Sequence, residues 1–116
     1  IGGMRHPIKF LQGRTNIPHA NSHLHLVFRD DLIELIIKSI KLDDPKIINA
    51  FSPYNDSKKH YYVKMAQKFS MQPPSYQEFE DASLKYTKID SGLFEKILGR
   101  NARSPEDFEF ENELLT

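Results

Sequence analysis

The chain has 116 residues, with 16 basic and 16 acidic side chains, five His and no Cys. This length fits one domain, and 39% apolar with 28% charged residues favours a folded chain over a disordered one. Nucleic-acid and acidic-membrane binding depend on excess positive charge, so a net charge of zero argues against both kinds of partner. Because there is no cysteine for disulfides or thiolate metal sites, we expect a reducing, cytoplasmic setting.

The first predicted elements follow a loop of about twenty residues that glycines and prolines interrupt. Alternating polar and apolar residues from His23 to Phe28 predict a strand with one buried face. Asp31 as N-cap and Glu34 three residues later predict a capping box at the start of a helix. The apolar arc of that helix is wide, so we expect it to lie against a sheet.

The rest of the chain continues the alternation of strands and helices. The predicted elements are a strand at 47–51, a helix at 57–69, a strand at 86–89 and a helix at 91–98 ended by Gly99. This order favours an α/β architecture with some parallel pairing. Three short strands make a small sheet, and a parallel sheet needs helices covering both of its faces. We therefore expect this chain to be the end of a larger fold.

Two pairs of side chains resemble catalytic pairs. Tyr54 and Lys58 match Tyr-x-x-x-Lys, an acid/base pair that requires both side chains on one helix face. Because Tyr54 precedes the predicted helix, we interpret this pair as a helix entry. Asp30 and Asp31 could form an acid/base dyad, but helix capping explains them more simply.

Histidines and lysines form two further patterns. His23 and His25 would share one strand face, with His19 nearby, which could begin a metal site. No carboxylate stands at a recognisable ligand spacing, so a polar strand face is the favoured interpretation. A basic row along the second helix is interpreted as a solvated face: Lys58, Lys59, His60, Lys64 and Lys68.

Basic side chains also gather in the first loop, at Arg5, His6, Lys9 and Arg14. Arginine binds carboxylates and phosphates through paired hydrogen bonds, and loops often carry binding residues. An anion-binding loop and an ordinary cationic surface both fit this composition. The chain has no glycine-rich phosphate motif and no nucleophile elbow, so its own residues contain no complete catalytic apparatus.

Several short motifs follow one another in an order typical of one enzyme family. They are Arg5-His6-Pro7, Phe10-Leu11-x-Gly13-Arg14-Thr15, Leu26-Val27-Phe28-Arg29-Asp30-Asp31, Ile48-Asn49-Ala50-Phe51-Ser52-Pro53 and Lys88-Ile89-Asp90-Ser91. Together they resemble the C-terminal third of an atypical extended short-chain dehydrogenase/reductase of the NAD-dependent epimerase/dehydratase group. The resemblance covers residues 2–99. It implies the C-terminal portion of a Rossmann-like α/β fold, incomplete on its own.

The resemblance also implies roles for individual residues. It places Gly3 and Met4 near the nicotinamide of an NAD or NADP cofactor in a full-length parent. It places four side chains on the substrate side, facing a polar or anionic metabolite such as a sugar nucleotide: Arg5, His6, Arg14 and His25. In that family the cofactor loop and the Tyr-x-x-x-Lys helix lie upstream. We therefore expect this chain alone to bind no cofactor and to be inactive.

Two functions follow from these observations. The first is the substrate-binding region, residues 1–99, of an NAD(P)-dependent oxidoreductase or epimerase, followed by a loose acidic tail at 100–116. The alternative is a non-catalytic small α/β binding module, or an epimerase-like scaffold without activity. Because an isolated fragment would expose apolar faces, we also expect self-association.

Overall fold

The computed structural model describes residues 1–42, 47–79 and 90–111. Its regular elements are helices α1 (Ile8–Leu11), α2 (Arg29–Ser39), α3 (Lys58–Lys68) and α4 (Gly92–Leu98), and a 3₁₀ turn at Pro105–Asp107. The chain divides into two compact units. Unit 1 comprises Ile1–Met4, His25–Tyr54 and Ile89–Thr116, and unit 2 comprises Arg5–Leu24 and Asn55–Lys88.

The predicted Rossmann-like α/β fold is wrong, and with it the short-chain dehydrogenase/reductase and epimerase/dehydratase architecture that the resemblance implied. The described residues form helices and loops without a sheet. Their strand-like pairing consists of isolated bridges, one parallel between Ile17 and Tyr76 and one antiparallel between His23 and Ser57.

The predicted strands show why the sequence pattern misled. Residues 24–28 and 47–51 carry no helix. The N–H of Ser52, the residue that follows the second segment, donates to the carbonyl of Leu26 in the first (2.6 Å). Alternation of apolar and polar residues favours extended backbone with one buried face, but a sheet also needs a neighbouring edge at matching register. The third predicted strand, 86–89, lies outside the described residues.

Helix α2 begins earlier than its predicted capping box. Phe28 occupies the N-cap position, and Asp31 lies inside the first turn with its side chain buried. The predicted N-cap role of Asp31 is therefore wrong. Instead of resting on a sheet, α2 packs on α4 around Leu35. Partly buried apolar residues complete this core around Leu35, Phe94 and Leu98: Val27, Leu32, Ile48, Ala50, Ile97 and Ala102.

A polar network joins α2 to the segment that follows α4. The carboxylate of Asp31 accepts a bond from Nη2 of Arg100 (2.6 Å) and another from the backbone N–H of Arg103 (3.0 Å). Lys38 Nζ donates to the carbonyl of Leu98 (2.7 Å). These bonds satisfy a buried carboxylate and a helix-end carbonyl, groups that would otherwise destabilise the fold.

The other two predicted helices are confirmed. Ser57 is the N-cap of α3, and its hydroxyl oxygen accepts a bond from the N–H of His60 (3.2 Å). Gly99 ends α4 with φ of +75°, a left-handed conformation that glycine adopts without strain. At the start of α4, Asp90 Oδ1 accepts from the N–H of Gly92 (2.8 Å).

Aromatic side chains hold residues 108–110 in unit 1. Phe108 is 1% exposed, and its ring lies 4.9 Å from that of Phe110 and 6.3 Å from that of Phe28. Arg103 lies over the Phe28 ring at 4.5 Å. None of the described helices is long and apolar enough to cross a membrane.

The Asp31 network predicts a difference between two adjacent aspartates. Asp31→Ala should lower the free energy of unfolding by about 1–3 kcal/mol, because it leaves the N–H of Arg103 without its acceptor and leaves Arg100 with Glu34 (3.1 Å) as its remaining carboxylate partner. Asp30→Ala is the matched control, since the Asp30 side chain is 79% exposed; its effect should stay below about 1 kcal/mol. Urea denaturation of both variants at low protein concentration measures this, and equal losses would contradict the assigned role.

Candidate ligand-binding site

Unit 2 holds two segments side by side, and they frame the candidate site. The N–H of Ile17 donates to the carbonyl of Ser75 (3.1 Å), and the N–H of Gln77 donates to the carbonyl of Ile17 (2.9 Å). This is the slanted bond pattern of parallel pairing. It holds Tyr76 and Gln77 beside the turn at Asn16, whose φ is +57°.

A cleft of about 500 Å³ opens at this pairing, lined by Asn16, Tyr76, Gln77, Glu78 and Phe79. Its volume lies in the range of small-molecule sites, but the cleft is shallow and open to solvent, so a ligand would be only partly buried in it. Phe79 is 86% exposed and offers a flat ring for stacking, whereas Tyr76 is 8% exposed. The two amide side chains can donate and accept hydrogen bonds, and Glu78 adds acceptor oxygens.

The hydroxyl of Tyr76 is the least satisfied group in the wall of this cleft. It is buried, and no hydrogen-bond partner for it lies among the described residues. Burying a hydroxyl without a partner costs about 1–3 kcal/mol. Such a group in a folded protein calls for an explanation. The oxygen is closed to solvent, so a polar molecule in the cleft would become its partner only after a small movement of the Tyr76 side chain.

Unit 2 also buries a histidine among tyrosines. His6 is 4% exposed, and its Nδ1 accepts a bond from the N–H of Ile8 (3.0 Å), which fixes the ring proton on Nε2. Nε2 therefore donates to the hydroxyl oxygen of Tyr61 (2.7 Å). The rings of Tyr61 and Tyr62 contact edge to face at 5.1 Å, and both side chains are buried on α3.

Burial moves the pKa values of this cluster away from neutrality. It lowers the pKa of His6 from 6.5 to about 4, so the imidazole is uncharged at neutral pH. Burial raises the pKa of Tyr62 far above its ordinary value, and the nearby Tyr76 adds to that shift. The pKa of Tyr76 is raised by burial as well. Acid/base catalysts work best with a pKa near the operating pH, so these groups are suited to hydrogen bonding rather than proton transfer.

The structure places the residues of the predicted substrate side in both units. Arg5, His6 and Arg14 belong to unit 2, and His25 belongs to unit 1. Arg14 is exposed, and its carbonyl accepts from the N–H of Ser75 (2.9 Å), next to the cleft residue Tyr76. Arg5 is also exposed, whereas both ring nitrogens of His6 are engaged inside unit 2.

His25, Gly3 and Met4 lie elsewhere. His25 is exposed, and its ring contacts Phe51 at 4.8 Å. Gly3 and Met4 are in unit 1, where Gly3 has φ of +58° and accepts from the N–H of Glu111 (3.0 Å). The substrate roles of Arg5, His6, Arg14 and His25, and the cofactor roles of Gly3 and Met4, stay predictions.

Gly3 also lines a second cleft of about 140 Å³ within unit 1. Arg29 and Arg103 face this cleft together with three carboxylate side chains, those of Asp30, Glu109 and Glu111. Since acidic groups outnumber the arginines, the charge does not favour an anion. This volume is also small for a metabolite site, so the larger cleft of unit 2 is the better candidate.

The two candidate catalytic pairs, Tyr54 with Lys58 and Asp30 with Asp31, have structural explanations. Tyr54 precedes α3, which begins at Lys58, so the two side chains do not share a helix face, as we predicted. The Asp31 carboxylate accepts hydrogen bonds from the Arg100 side chain and from the N–H of Arg103. Among residues 1–42, 47–79 and 90–111, no group of three His, Cys, Asp or Glu side chains could hold a metal ion.

Two features escaped the sequence analysis. The cleft residues that follow Pro73 and Pro74 are positioned by a parallel bridge between Ile17 and Tyr76, and a bridge between residues so far apart leaves no local pattern. The bond between His6 and Tyr61 was also missed, since 55 positions separate the two residues. The helical spacing of Tyr62, Met65, Ala66 and Phe69 predicts one buried face of this helix, but Tyr61 is not part of that stripe.

Comparison with known proteins finds limited similarity. No protein-family model and no solved structure matches the chain. The chain is similar to protein YeeZ of Escherichia coli strain K12 and of Escherichia coli O157:H7, with 27% identity to each over 114 residues. These matches cover 96% of this chain but 37% of each E. coli protein. The chain therefore spans little more than a third of the length of these relatives.

The buried His6 predicts a specific pH dependence. Unfolded His6 binds a proton below about pH 6.5, whereas folded His6 resists protonation until about pH 4. The free energy of unfolding is therefore highest above pH 6.5 and falls between pH 6.5 and 4, by up to about 3 kcal/mol from this group. His6→Gln should lose this part of the decline, as measured by urea denaturation at several pH values.

Tyr61→Phe is the control, because it removes the hydrogen bond to Nε2 but leaves the imidazole buried. It should keep most of the decline between pH 6.5 and 4. Parallel pH profiles for the wild type and His6→Gln would contradict the assigned burial effect.

Proposed function

We propose that this chain is a non-catalytic binding region for a polar or anionic small metabolite that carries a planar ring, with a sugar nucleotide as the model ligand. The binding site is the cleft formed by Asn16, Tyr76, Gln77, Glu78 and Phe79. The observation that carries this proposal is the Tyr76 hydroxyl, which is buried in the cleft wall without a partner among the described residues.

The ligand class follows from the side chains of the cleft. The exposed ring of Phe79 suits a flat base, in the way that aromatic side chains stack on nucleobases. The amides of Asn16 and Gln77 and the carboxylate of Glu78 suit the hydroxyls of a sugar. Glu78 is the charged side chain of the lining, so a phosphate would lie outside the cleft, toward the exposed Arg14, whose backbone carbonyl accepts from the N–H of Ser75.

The pKa shifts favour binding over catalysis. The buried groups of unit 2 with shifted pKa values are His6, neutral at physiological pH, and Tyr62 and Tyr76, whose pKa values burial raises. In these states they act as hydrogen-bonding groups, and none is poised to exchange a proton near pH 7. A donor that is already neutral and held in place lowers the cost of binding a polar molecule.

The activity of a longer protein is a separate question. The E. coli relatives are far longer than this chain, so an NAD(P)-dependent oxidoreductase or epimerase parent, with its cofactor, stays a prediction. The cytoplasmic location expected from the lack of cysteine also stays a prediction.

Titration of the protein with UDP-glucose tests the proposal. Binding is monitored through the backbone amide NMR signals of Asn16, Gln77 and Phe79. We expect saturable shifts at these positions. Tyr76→Phe should weaken binding at least about tenfold, because it removes the hydroxyl that the ligand satisfies. In the absence of ligand, the same variant should be as stable as the wild type or more stable, since it deletes an unpaired buried hydroxyl.

Tyr61→Phe is the matched control. In the wild type the Tyr61 hydroxyl is bonded to His6. The Tyr61→Phe variant should therefore lose about 1 kcal/mol of stability and still bind the ligand. NAD⁺, NADP⁺ and inorganic phosphate serve as comparison ligands. Shifts confined to unit 1 residues, or equal affinity in the wild type and Tyr76→Phe, would overturn the assignment of this cleft.

A further inference from the structure

Helix α2 leaves an apolar stripe exposed. Ile33, Ile36, Ile37 and Ile40 are 47%, 52%, 55% and 77% exposed, and their spacing of i, i+3, i+4 and i+7 places them on one helix face. We call these four residues the isoleucine stripe. Single exposed apolar residues are ordinary, but a contiguous row of large ones marks an interaction surface.

The stripe is a consequence of how α2 packs within unit 1. Asp31, Leu35 and Lys38 make the contacts with α4 and the segment after it. A helix turns by about 100° per residue, so the stripe lies on the side opposite these three residues. The network that holds α2 in place therefore also keeps the isoleucine stripe outward.

The stripe is complementary to itself when two copies of α2 run antiparallel. A two-fold axis midway between Ile36 and Ile37 brings each Ile36 to the Ile37 of the other copy, and each Ile33 to the other Ile40. All four isoleucines of each copy then face isoleucines. Such an isologous contact closes after two copies, which is the commonest symmetry of soluble oligomers.

Charges at the two ends of the stripe favour the same arrangement. Asp30 lies in the first turn and Lys41 just beyond the last turn, and both are exposed on the same side of the stripe. Within one copy the Asp30 carboxylate accepts from Nε of Arg29 (3.4 Å), an exposed pair that leaves its second oxygen for a further cation. In the antiparallel pair, each Asp30 comes within about two residues, or about 3 Å along the axis, of the other copy's Lys41.

We propose that two copies of this chain form an antiparallel homodimer through the isoleucine stripe, with reciprocal Asp30–Lys41 ion pairs at its ends. Because the stripe has four isoleucines per copy, the interface is small and the dimer is weak. The dimer is independent of the ligand-binding proposal, whose cleft belongs to unit 2.

Sedimentation velocity over about 5–500 µM protein tests the dimer. The wild type should shift from monomer to dimer, and Ile37→Glu should raise the Kd at least tenfold by placing two carboxylates near the axis. Ile47→Glu is the matched control, because Ile47 is 92% exposed but lies outside α2. This control should dimerise like the wild type.

Charge exchange tests the orientation without touching the apolar residues. Asp30→Lys and Lys41→Asp should each raise the Kd several-fold, since each places like charges together. The double variant should return the Kd close to that of the wild type, because it restores both ion pairs in reversed polarity.

Several results would overturn the proposal. A wild type that stays monomeric at 500 µM would show that another surface, such as the remainder of a longer chain, covers the stripe. Equal Kd values for Ile37→Glu and Ile47→Glu would place the interface elsewhere. Open-ended association beyond a dimer, or a double charge variant as weak as the single ones, would refute the closed antiparallel pair.

Discussion

The buried carboxylate of Asp31 is the constraint on which the arrangement of unit 1 depends. It lies in the first turn of α2 and takes bonds from the Arg100 side chain and the Arg103 backbone, which follow α4. A buried charge without these partners would be strongly destabilising, so the segment after α4 must stay against α2. With Leu35 on the same face, this sets the rotation of α2 about its own axis and leaves the isoleucines outside.

Unit 2 also buries polar groups, and these groups differ in whether they have hydrogen-bond partners. His6 has a partner at each ring nitrogen and is held neutral, so its contribution is structural. The hydroxyl of Tyr76 lacks such a partner and stands in the wall of a cleft. Partly satisfied polar clusters carry an energetic cost, and that cost points to where a ligand can contribute binding energy.

The two proposals rest on different physical terms. Ligand binding depends on a polar group that is already desolvated and oriented, so binding gains a hydrogen bond at little further cost. Dimer formation depends on removing apolar surface from water, with charges at the ends selecting orientation rather than supplying most of the affinity. Substitutions in the cleft and on the isoleucine stripe should consequently act separately.

Local sequence determined the helices. Ser57 and Gly99 mark real helix ends, and apolar spacing identified the buried faces of α3 and α4, because caps and periodicity act over one or two turns. Tertiary structure decided the rest. Alternation at 23–28 and 47–51 could not specify whether a sheet edge was available, and Asp31 became an ion-pair partner because Arg100 lies close in space but 69 positions away. The candidate cleft likewise depends on the pairing of Ile17 with Tyr76, a long-range contact that no local pattern encodes.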